Sequence, residues 1–192
     1  MVTFIMNSKE GSSMSFFYTM GQGFLLMVPA YAANMAPSII KGHKPMDFGR
    51  NFIDGKRLFG DGKTIRGFFS GILCGIIVGM IFGPLYELVT GGVVLSDFAK
   101  YGFLGFLVGF GTVLGDLCGS FIKRRFNVER GAVFPLMDQE GFMIGAIFML
   151  WLVWSPVPIT WTLIIALLII TPPLHLLGNI MAYKLGNKKM WY

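Results

Sequence analysis

Residues 67–86 read GFFSGILCGIIVGMIFGPLY and contain no Asp, Glu, Lys or Arg. A helix of that length rises about 30 Å, which matches the hydrocarbon core of a bilayer. The stretch therefore predicts a membrane-spanning helix. Because residues four apart lie on one helix face, and glycine lets helix backbones approach closely, we expect one face of this helix to pack against another span. That face carries Gly67, Gly71, Gly75, Gly79 and Gly83.

The rest of the chain has the same apolar character. Of its 192 residues, 54% are hydrophobic and 14% are charged, and the mean hydropathy is +0.66. Soluble domains have about 25% charged residues, so this composition excludes an ordinary soluble enzyme domain. The uncharged run 141–183 is too long for one helix, and the prolines at 156 and 158 divide it. Together the uncharged runs predict five spans, over about residues 16–39, 66–88, 101–122, 136–154 and 159–181.

The basic residues lie on one side of these spans. Of the 16 Lys and Arg residues, only Lys9 and Lys100 fall on the other side. Since basic loops stay in the cytoplasm, the N-terminus is predicted outside and the C-terminus cytoplasmic. This topology explains the net charge of +6, so no nucleic-acid partner is expected. The prediction is an all-α integral protein of the cell membrane, one polytopic domain over residues 1–192, with two basic cytoplasmic loops at about 40–65 and 123–137.

Two acids stand at the cytoplasmic ends of the spans. Asp116 lies inside the third apolar run, seven residues before Lys123. An ionisable group at that depth is unfavourable and marks a functional site by default, although a structural ion pair is the alternative. Asp138 falls in the predicted first turn of span four, where it can also act as a simple helix cap. Spans three and four are consecutive, so we expect the two carboxylates to approach each other and, with nucleotide phosphates, to hold Mg²⁺.

A glycine-rich basic turn precedes span two and reads Gly60-Asp61-Gly62-Lys63-Thr64-Ile65-Arg66-Gly67. It is not a P-loop, because position 57, where that motif requires glycine, is Arg57. It does not match the CDP-alcohol phosphotransferases either, since residues 67–86 lack their further aspartates. The turn can hold phosphate through backbone N–H groups and basic side chains, or it can simply start a helix with Asp61 or Thr64 as the cap. The sequence leaves both interpretations open.

The order of these motifs resembles that of the integral-membrane CTP:phosphatidate cytidylyltransferases. The family's Gly-Asp-Leu…Ser…Lys-Arg block is similar to Gly115-Asp116-Leu117-x-Gly119-Ser120-x-x-Lys123-Arg124-Arg125, followed here by Pro135 and Asp138-Gln139. Gln139 replaces an arginine of that family, and the intervening turn lacks its histidine. These departures resemble the archaeal branch, the CDP-archaeol synthases, which also have blocks similar to Asn34…Pro37 and Asp61–Gly67.

The resemblance implies a Mg²⁺-dependent nucleotidyltransferase of archaeal phospholipid biosynthesis. Its substrates would be CTP and an isoprenoid ether lipid phosphate, 2,3-di-O-geranylgeranylglyceryl phosphate, held in the lipid bilayer. Its products would be CDP-archaeol and pyrophosphate. Catalytic roles are expected for Asp116, Asp138, Lys123 and Arg124, with both acids as metal ligands. Substrate contacts are expected from Asn34, Asp61, Gly62, Lys63, Thr64, Arg66, Gly67, Gly115, Gly119, Ser120, Arg125 and Gln139.

Two other functions compete with this hypothesis. An intramembrane acid such as Asp116 would also suit a small ion or solute transporter. A non-catalytic assembly subunit would need only the glycine faces. The charges cluster on one side of the membrane, and the sequence has no inverted repeat and no second acid within a span, so a transporter is disfavoured.

Overall fold

The fold is helical. A computed structural model describes residues 8–90, 98–128, 134, 137–153, 159–184 and 186. Within these ranges, the regular structure outside the helices consists of two isolated β-bridges, Pro45 with Thr64 and Asn51 with Arg57. Each predicted span corresponds to one helix. The helices are α1 (Ser8–Ile39), α2 (Ile65–Thr90), α3 (Phe98–Arg125), α4 (Met137–Leu152) and α5 (Trp161–Lys184).

Two helix boundaries differ from the predicted spans in ways that matter. Helix α1 begins at Ser8, well before the predicted start near residue 16. Helix α3 continues to Arg125, so Lys123, Arg124 and Arg125 form its last turn instead of opening a loop. Cationic side chains are favourable there because they interact with the negative end of the helix dipole. The last turn of α3 therefore holds these three cations at fixed angles around one helix axis.

Among the described residues, three helices are long and apolar enough to cross a membrane. They are Ile65–Leu88, Phe98–Arg125 and Trp161–Met181, and Glu140–Leu152 is a shorter apolar helix. These lengths and compositions are those of a membrane protein. The count of five spans and their orientation stay predictions.

Glycine faces join α2 to α3. A Cβ added to Gly75 would lie 2.7 Å from Gly109 Cα, and one added to Gly79 would lie 2.6 Å from Gly105 Cα. Such distances are below van der Waals contact, so only glycine permits the two backbones to approach this closely. The predicted packing role of the four-residue glycine repeat is confirmed.

Helix α3 occupies the centre of the bundle. It packs against α1, α2 and α4, while α5 closes the bundle against α1 and α4. A buried apolar cluster joins α1, α3, α4 and α5 and includes Met27, Leu107, Phe142 and Leu167. Asp116 is therefore carried by a helix that packs against three others, at the end where the basic loop between α1 and α2 lies.

Candidate active site

The basic loop, residues 40–64, folds around one buried carboxylate. The Asp47 side chain is 0% exposed. It accepts hydrogen bonds from the backbone N–H groups of Gly49 (3.0 Å), Phe59 (3.1 Å) and Gly60 (2.9 Å). It also accepts them from Arg57 Nε (3.2 Å) and Nη2 (2.7 Å). Burial acts to raise the pKa of Asp47, but these hydrogen bonds outweigh burial and hold that pKa well below its usual range.

Asp47 was not among the residues predicted for the site. Its bond to Gly49 N–H could have been predicted, because Asp side chains commonly bond the backbone two residues on. The contacts with residues 57–60 could not be read from the sequence, because they come from the opposite end of the loop. Asp47 thus fixes the backbone that leads directly into the glycine-rich turn.

Lys63 is held in place by that turn. Its N–H donates to Gly60 O (3.2 Å), and its carbonyl accepts from Met46 N–H (2.7 Å). The ammonium Nζ donates to Asp116 Oδ2 at 2.5 Å. Asp116 therefore has an ion-pair partner, but this partner lies in the basic loop, whereas the alternative prediction was a structural ion pair with a basic residue of another span. The pair links the basic loop to the central helix.

The same turn also starts α2. The Thr64 hydroxyl accepts the N–H of Gly67 at 3.1 Å, which makes Thr64 the helix cap. Asp61, the other predicted cap, instead pairs with Arg57 at 2.8 Å. Gly67 lies against Pro37 of α1, where an added Cβ would come within 3.1 Å of the proline Cβ. The helix-start interpretation is confirmed, and it is compatible with a phosphate role for Lys63.

The direction of Asp116 follows from helix geometry. Asp116 lies seven residues after Gly109 and eleven after Gly105, close to whole numbers of turns. It therefore shares the α3 face that packs against α2, which explains why it meets Lys63 just before α2 begins. The α4-facing stripe of α3 is a different one, because Gly111 and Gly115 pack against the backbones of Gly145 and Gly141.

Asp138 is bound to the end of α3. Its carboxylate meets Lys123 Nζ at 2.5 Å and accepts the N–H of Phe134 at 3.0 Å. The backbone N–H of Asp138 donates in turn to Phe134 O at 3.1 Å. The carboxylate thus binds an N–H that precedes α4, whereas the predicted simple cap would bind an N–H of the first turn of α4. The carboxylate closes the chain turn at the start of α4 and joins it to α3.

The residues next to the two acids in the chain lie in the α3–α4 contact. Gly115, next to Asp116, packs on Gly141, and Met137, next to Asp138, lies 3.7 Å from a Cβ built on Gly119. Each carboxylate is neutralised by its own lysine. Asp116 is 36% exposed and Asp138 32%, so the protein encloses neither carboxylate.

Arg125 is committed to the basic loop. Its Nε lies 2.8 Å from Asp54 Oδ2, and its Nη2 donates to the carbonyls of Arg57 (2.6 Å) and Lys56 (3.2 Å). Its guanidinium also stands 4.3 Å above the ring centre of Phe121. These contacts give Arg125 a positioning role. A substrate contact was expected from the sequence.

Arg124 is oriented differently. Its Nε is buried and makes no hydrogen bond within the part of the chain that the structure describes. Its Cδ lies 3.9 Å from a Cβ built on Gly60, so the side chain runs alongside the glycine-rich turn. A guanidinium with a spare donor beside Lys63 is suited to an anion.

The remaining predicted site residues vary in exposure. Gly62 and Arg66 are exposed, Asn34 is half-buried in α1, and Ser120 is buried in α3. Gly115 and Gly119 lie in the α3–α4 contact. The side chain of Gln139 lies outside the described residues, as does Pro135.

The carboxylates fit Mg²⁺ only together with a substrate. The described residues contain no group of three or more His, Cys, Asp and Glu side chains that could hold a metal ion. Mg²⁺ takes six oxygen ligands and is commonly held by one or two carboxylates plus phosphates and water. Two partly exposed acids, each next to a lysine, offer the carboxylates of such a site. Phosphates and water would supply the other ligands.

The family to which the chain belongs follows from its similarity to known proteins. The family model described as CarS-like CDP-archaeol synthase matches residues 17–192. The chain belongs to the CDP-archaeol synthase family. Membership makes it a cytidylyltransferase of archaeal lipid biosynthesis and confirms the predicted resemblance. It gives no support to the transporter hypothesis.

Individual CDP-archaeol synthases agree over nearly their whole length. The chain is 45% identical to that of Methanocaldococcus jannaschii over 172 residues, which cover 86% of this chain and 93% of the relative. It is 40% identical to that of Methanococcus aeolicus over 181 residues, covering 93% and 100%. A solved structure of "an intramembrane enzyme for archaeal membrane lipids biosynthesis" is similar with a TM-score of 0.68 and 34% identity, over 82% of this chain and 92% of that one.

Proposed function

We propose that this CDP-archaeol synthase transfers the cytidylyl group of CTP to 2,3-di-O-geranylgeranylglyceryl phosphate, with Mg²⁺, at the cytoplasmic face of the cell membrane. The observation that carries the proposal is the Lys63–Asp116 pair. It joins a basic, water-exposed loop to an acid on the central apolar helix. A site for this reaction must meet a soluble nucleotide and a membrane-held phosphate, and a junction of that kind is accessible to both.

The reaction is a displacement at phosphorus. An oxygen of the lipid phosphate attacks the α-phosphorus of CTP, the new P–O bond forms, and the bond to pyrophosphate breaks. The attacking phosphate is already an anion, so no side chain is needed as a general base. Mg²⁺, held by Asp116 and Asp138, would neutralise charge on the polyphosphate.

The lysines have a second task in this scheme. In the structure they neutralise the two carboxylates at 2.5 Å. With Mg²⁺ held by the carboxylates, the ammonium groups of Lys63 and Lys123 would be available to bind the phosphates. Arg124, with its spare Nε, adds a third donor. Fixed cations around the phosphates stabilise the charge that develops in the transition state.

Transfer of label from CTP to lipid tests this function. Purified protein in lipid vesicles, given labelled CTP and a panel of lipid phosphates, is expected to form a CDP-lipid and pyrophosphate with the isoprenoid ether substrate. A chelator should stop the reaction, and Mg²⁺ should restore it. Incorporation that is insensitive to the chelator would remove Mg²⁺ from the scheme. A complete lack of incorporation with every lipid phosphate would refute the function.

Labelling from outside the cell tests the proposed topology. In a protein carrying Cys74→Ala and Cys118→Ala, a membrane-impermeant thiol reagent should label Ser12→Cys and Ser96→Cys in intact cells. It should label Lys41→Cys only after the membrane is opened, because the basic loop is cytoplasmic. Labelling of Lys41→Cys in sealed cells would reverse the orientation and move the site to the outer face.

A further inference from the structure

Two large apolar side chains of the basic loop are more than two thirds exposed. Phe48 is 70% exposed and Ile53 is 93% exposed. Apolar side chains on a spanning helix contact lipid, but these two belong to a loop. We call them the apolar pair. We propose that the apolar pair inserts into the headgroup region of the bilayer, so that the basic loop docks on an anionic lipid surface. The proposal rests on the function and topology proposed above.

The backbone at Phe48 is strained. Phe48 has φ of 50° and Gly49 has φ of 80°. Glycine adopts this left-handed region freely, whereas a bulky side chain there is an outlier. The Asp47 side chain accepts the Gly49 N–H, and the Asp47 carbonyl accepts the Arg50 N–H at 2.8 Å. These two hydrogen bonds stabilise the turn at Phe48. Because Phe48 is 70% exposed, burial of its side chain within the protein does not compensate this backbone strain.

Contacts with α3 set the level of Ile53. The turn at Phe52 is closed by Gly55 N–H donating to Phe52 O at 3.0 Å. The Phe52 ring lies edge-on to Phe121 of α3, with 5.2 Å between ring centres. Phe121 lies near the end of the apolar part of α3, two residues before Lys123. The turn therefore lies beside the end of a span, where headgroups are expected.

The neighbours of Ile53 show which way it points. Phe52 contacts Phe121, and Asp54 contacts Arg125. Ile53 stands between these two anchored residues and remains 93% exposed. Its side chain is therefore free to contact the surroundings of the helix bundle near the end of α3.

The positive charge of the basic loop favours binding to an anionic lipid surface. Lys44 and Arg50 are exposed on either side of Phe48 along the chain. Apolar side chains flanked by cations are typical of segments that lie in a membrane interface, and anionic headgroups attract such cations. A soluble partner protein would not require the loop to lie level with the end of α3. Docking would also bring the turn that carries Lys63 to the surface where a lipid phosphate lies.

Spin labelling in vesicles measures the depth of the apolar pair. Nitroxides would be attached to Phe48→Cys, Ile53→Cys and, as a water-facing reference, Asp61→Cys, each in the background that lacks Cys74 and Cys118. At positions 48 and 53 we expect relaxation by oxygen, which partitions into lipid, to exceed relaxation by a water-soluble nickel chelate. Position 61 should show the reverse. The preference for oxygen should grow as the fraction of anionic lipid rises.

Two outcomes would overturn the proposal. If positions 48 and 53 behave like position 61, the loop projects into water. If they are shielded from both reagents, another protein or a second copy of the chain covers them. Neither result depends on enzyme activity, so a failure here is distinct from a failure of the proposed function.

A kinetic comparison adds the functional consequence. Ile53→Asp should raise KM for the lipid phosphate in vesicles by up to about tenfold, since partial insertion of an isoleucine is worth roughly half of full burial. KM for CTP should stay unchanged. Asn51→Asp adds the same charge two residues away without removing an apolar side chain, and it should leave both KM values as they are. An equal effect of the two substitutions on the lipid KM would contradict insertion of Ile53.

Discussion

Asp116→Asn is expected to lower kcat by about a hundredfold to a thousandfold, the scale on which removal of one preorganised electrostatic contact acts. The substitution keeps the size of the side chain but removes the charge that pairs with Lys63 and would hold Mg²⁺. A neutral amide is a poorer metal ligand, so charge on the phosphates would be less well compensated. Turnover of labelled CTP into lipid measures the effect. Elution as one species in detergent checks that the protein is folded.

Companion variants separate catalysis from folding. Asp138→Asn should behave alike, and the double variant should be little worse than either single one, because groups that act as a unit are not additive. Glu87→Gln is the matched control. It removes a carboxylate paired with Lys100 at 3.3 Å near the opposite end of α2 and should leave kcat unaltered. Activity of Asp116→Asn close to that of the unsubstituted protein would exclude Asp116 from the reaction.

Lys63→Ala is expected to lower kcat/KM for CTP by about tenfold to a hundredfold, because a charge-assisted phosphate contact is worth about 1.5–3 kcal/mol. The loss should fall mainly on KM for CTP, since the contact is made already in the bound ground state. KM for the lipid should change less. Steady-state kinetics with each substrate varied in turn measures the two constants.

The cap of α2 provides the comparison for Lys63. Thr64 makes the capping bond to Gly67, so Thr64→Ala should lower the melting temperature through loss of about 1 kcal/mol. Lys63→Ala leaves that bond intact but removes the partner of Asp116, so the difference expected between the two variants is that only Lys63→Ala raises KM for CTP. Lys41→Ala removes a charge from the same loop and should change neither KM value. If Lys63→Ala lowers the melting temperature and leaves KM for CTP unchanged, the turn only starts a helix.

The helices could be predicted because their causes are local. Within a bilayer every backbone polar group must be bonded internally, so an uncharged run of sufficient length forms a helix wherever it lies. The same reasoning predicted the glycine contacts, since Gly75 and Gly79 offer no side chain to keep α3 away. Helix ends were less predictable. The cations at 123–125 extend α3 because they are favourable at its C-terminus, which an apolar-run criterion cannot detect.

The sequence by itself predicted Asp116 and Asp138 as candidate site acids, because an ionisable group at the end of an apolar run is unfavourable unless it has a partner. Only the tertiary structure decided which partners they have. Lys63 lies 53 residues before Asp116, and their contact depends on the angle at which α3 presents its α2-facing side.

The role of Asp47 was likewise decided by the fold. Its partners Arg57, Phe59 and Gly60 come from the far end of the loop. Arg125 shows the same limit, since its contacts with Asp54 and Phe121 could not be predicted from the sequence. Its substrate contact stays a prediction. The requirement that a segment buried in lipid form a helix applies to each segment independently, so it can be predicted from the sequence. Pairing of charges depends on distances between segments, which exist only after the helices have packed.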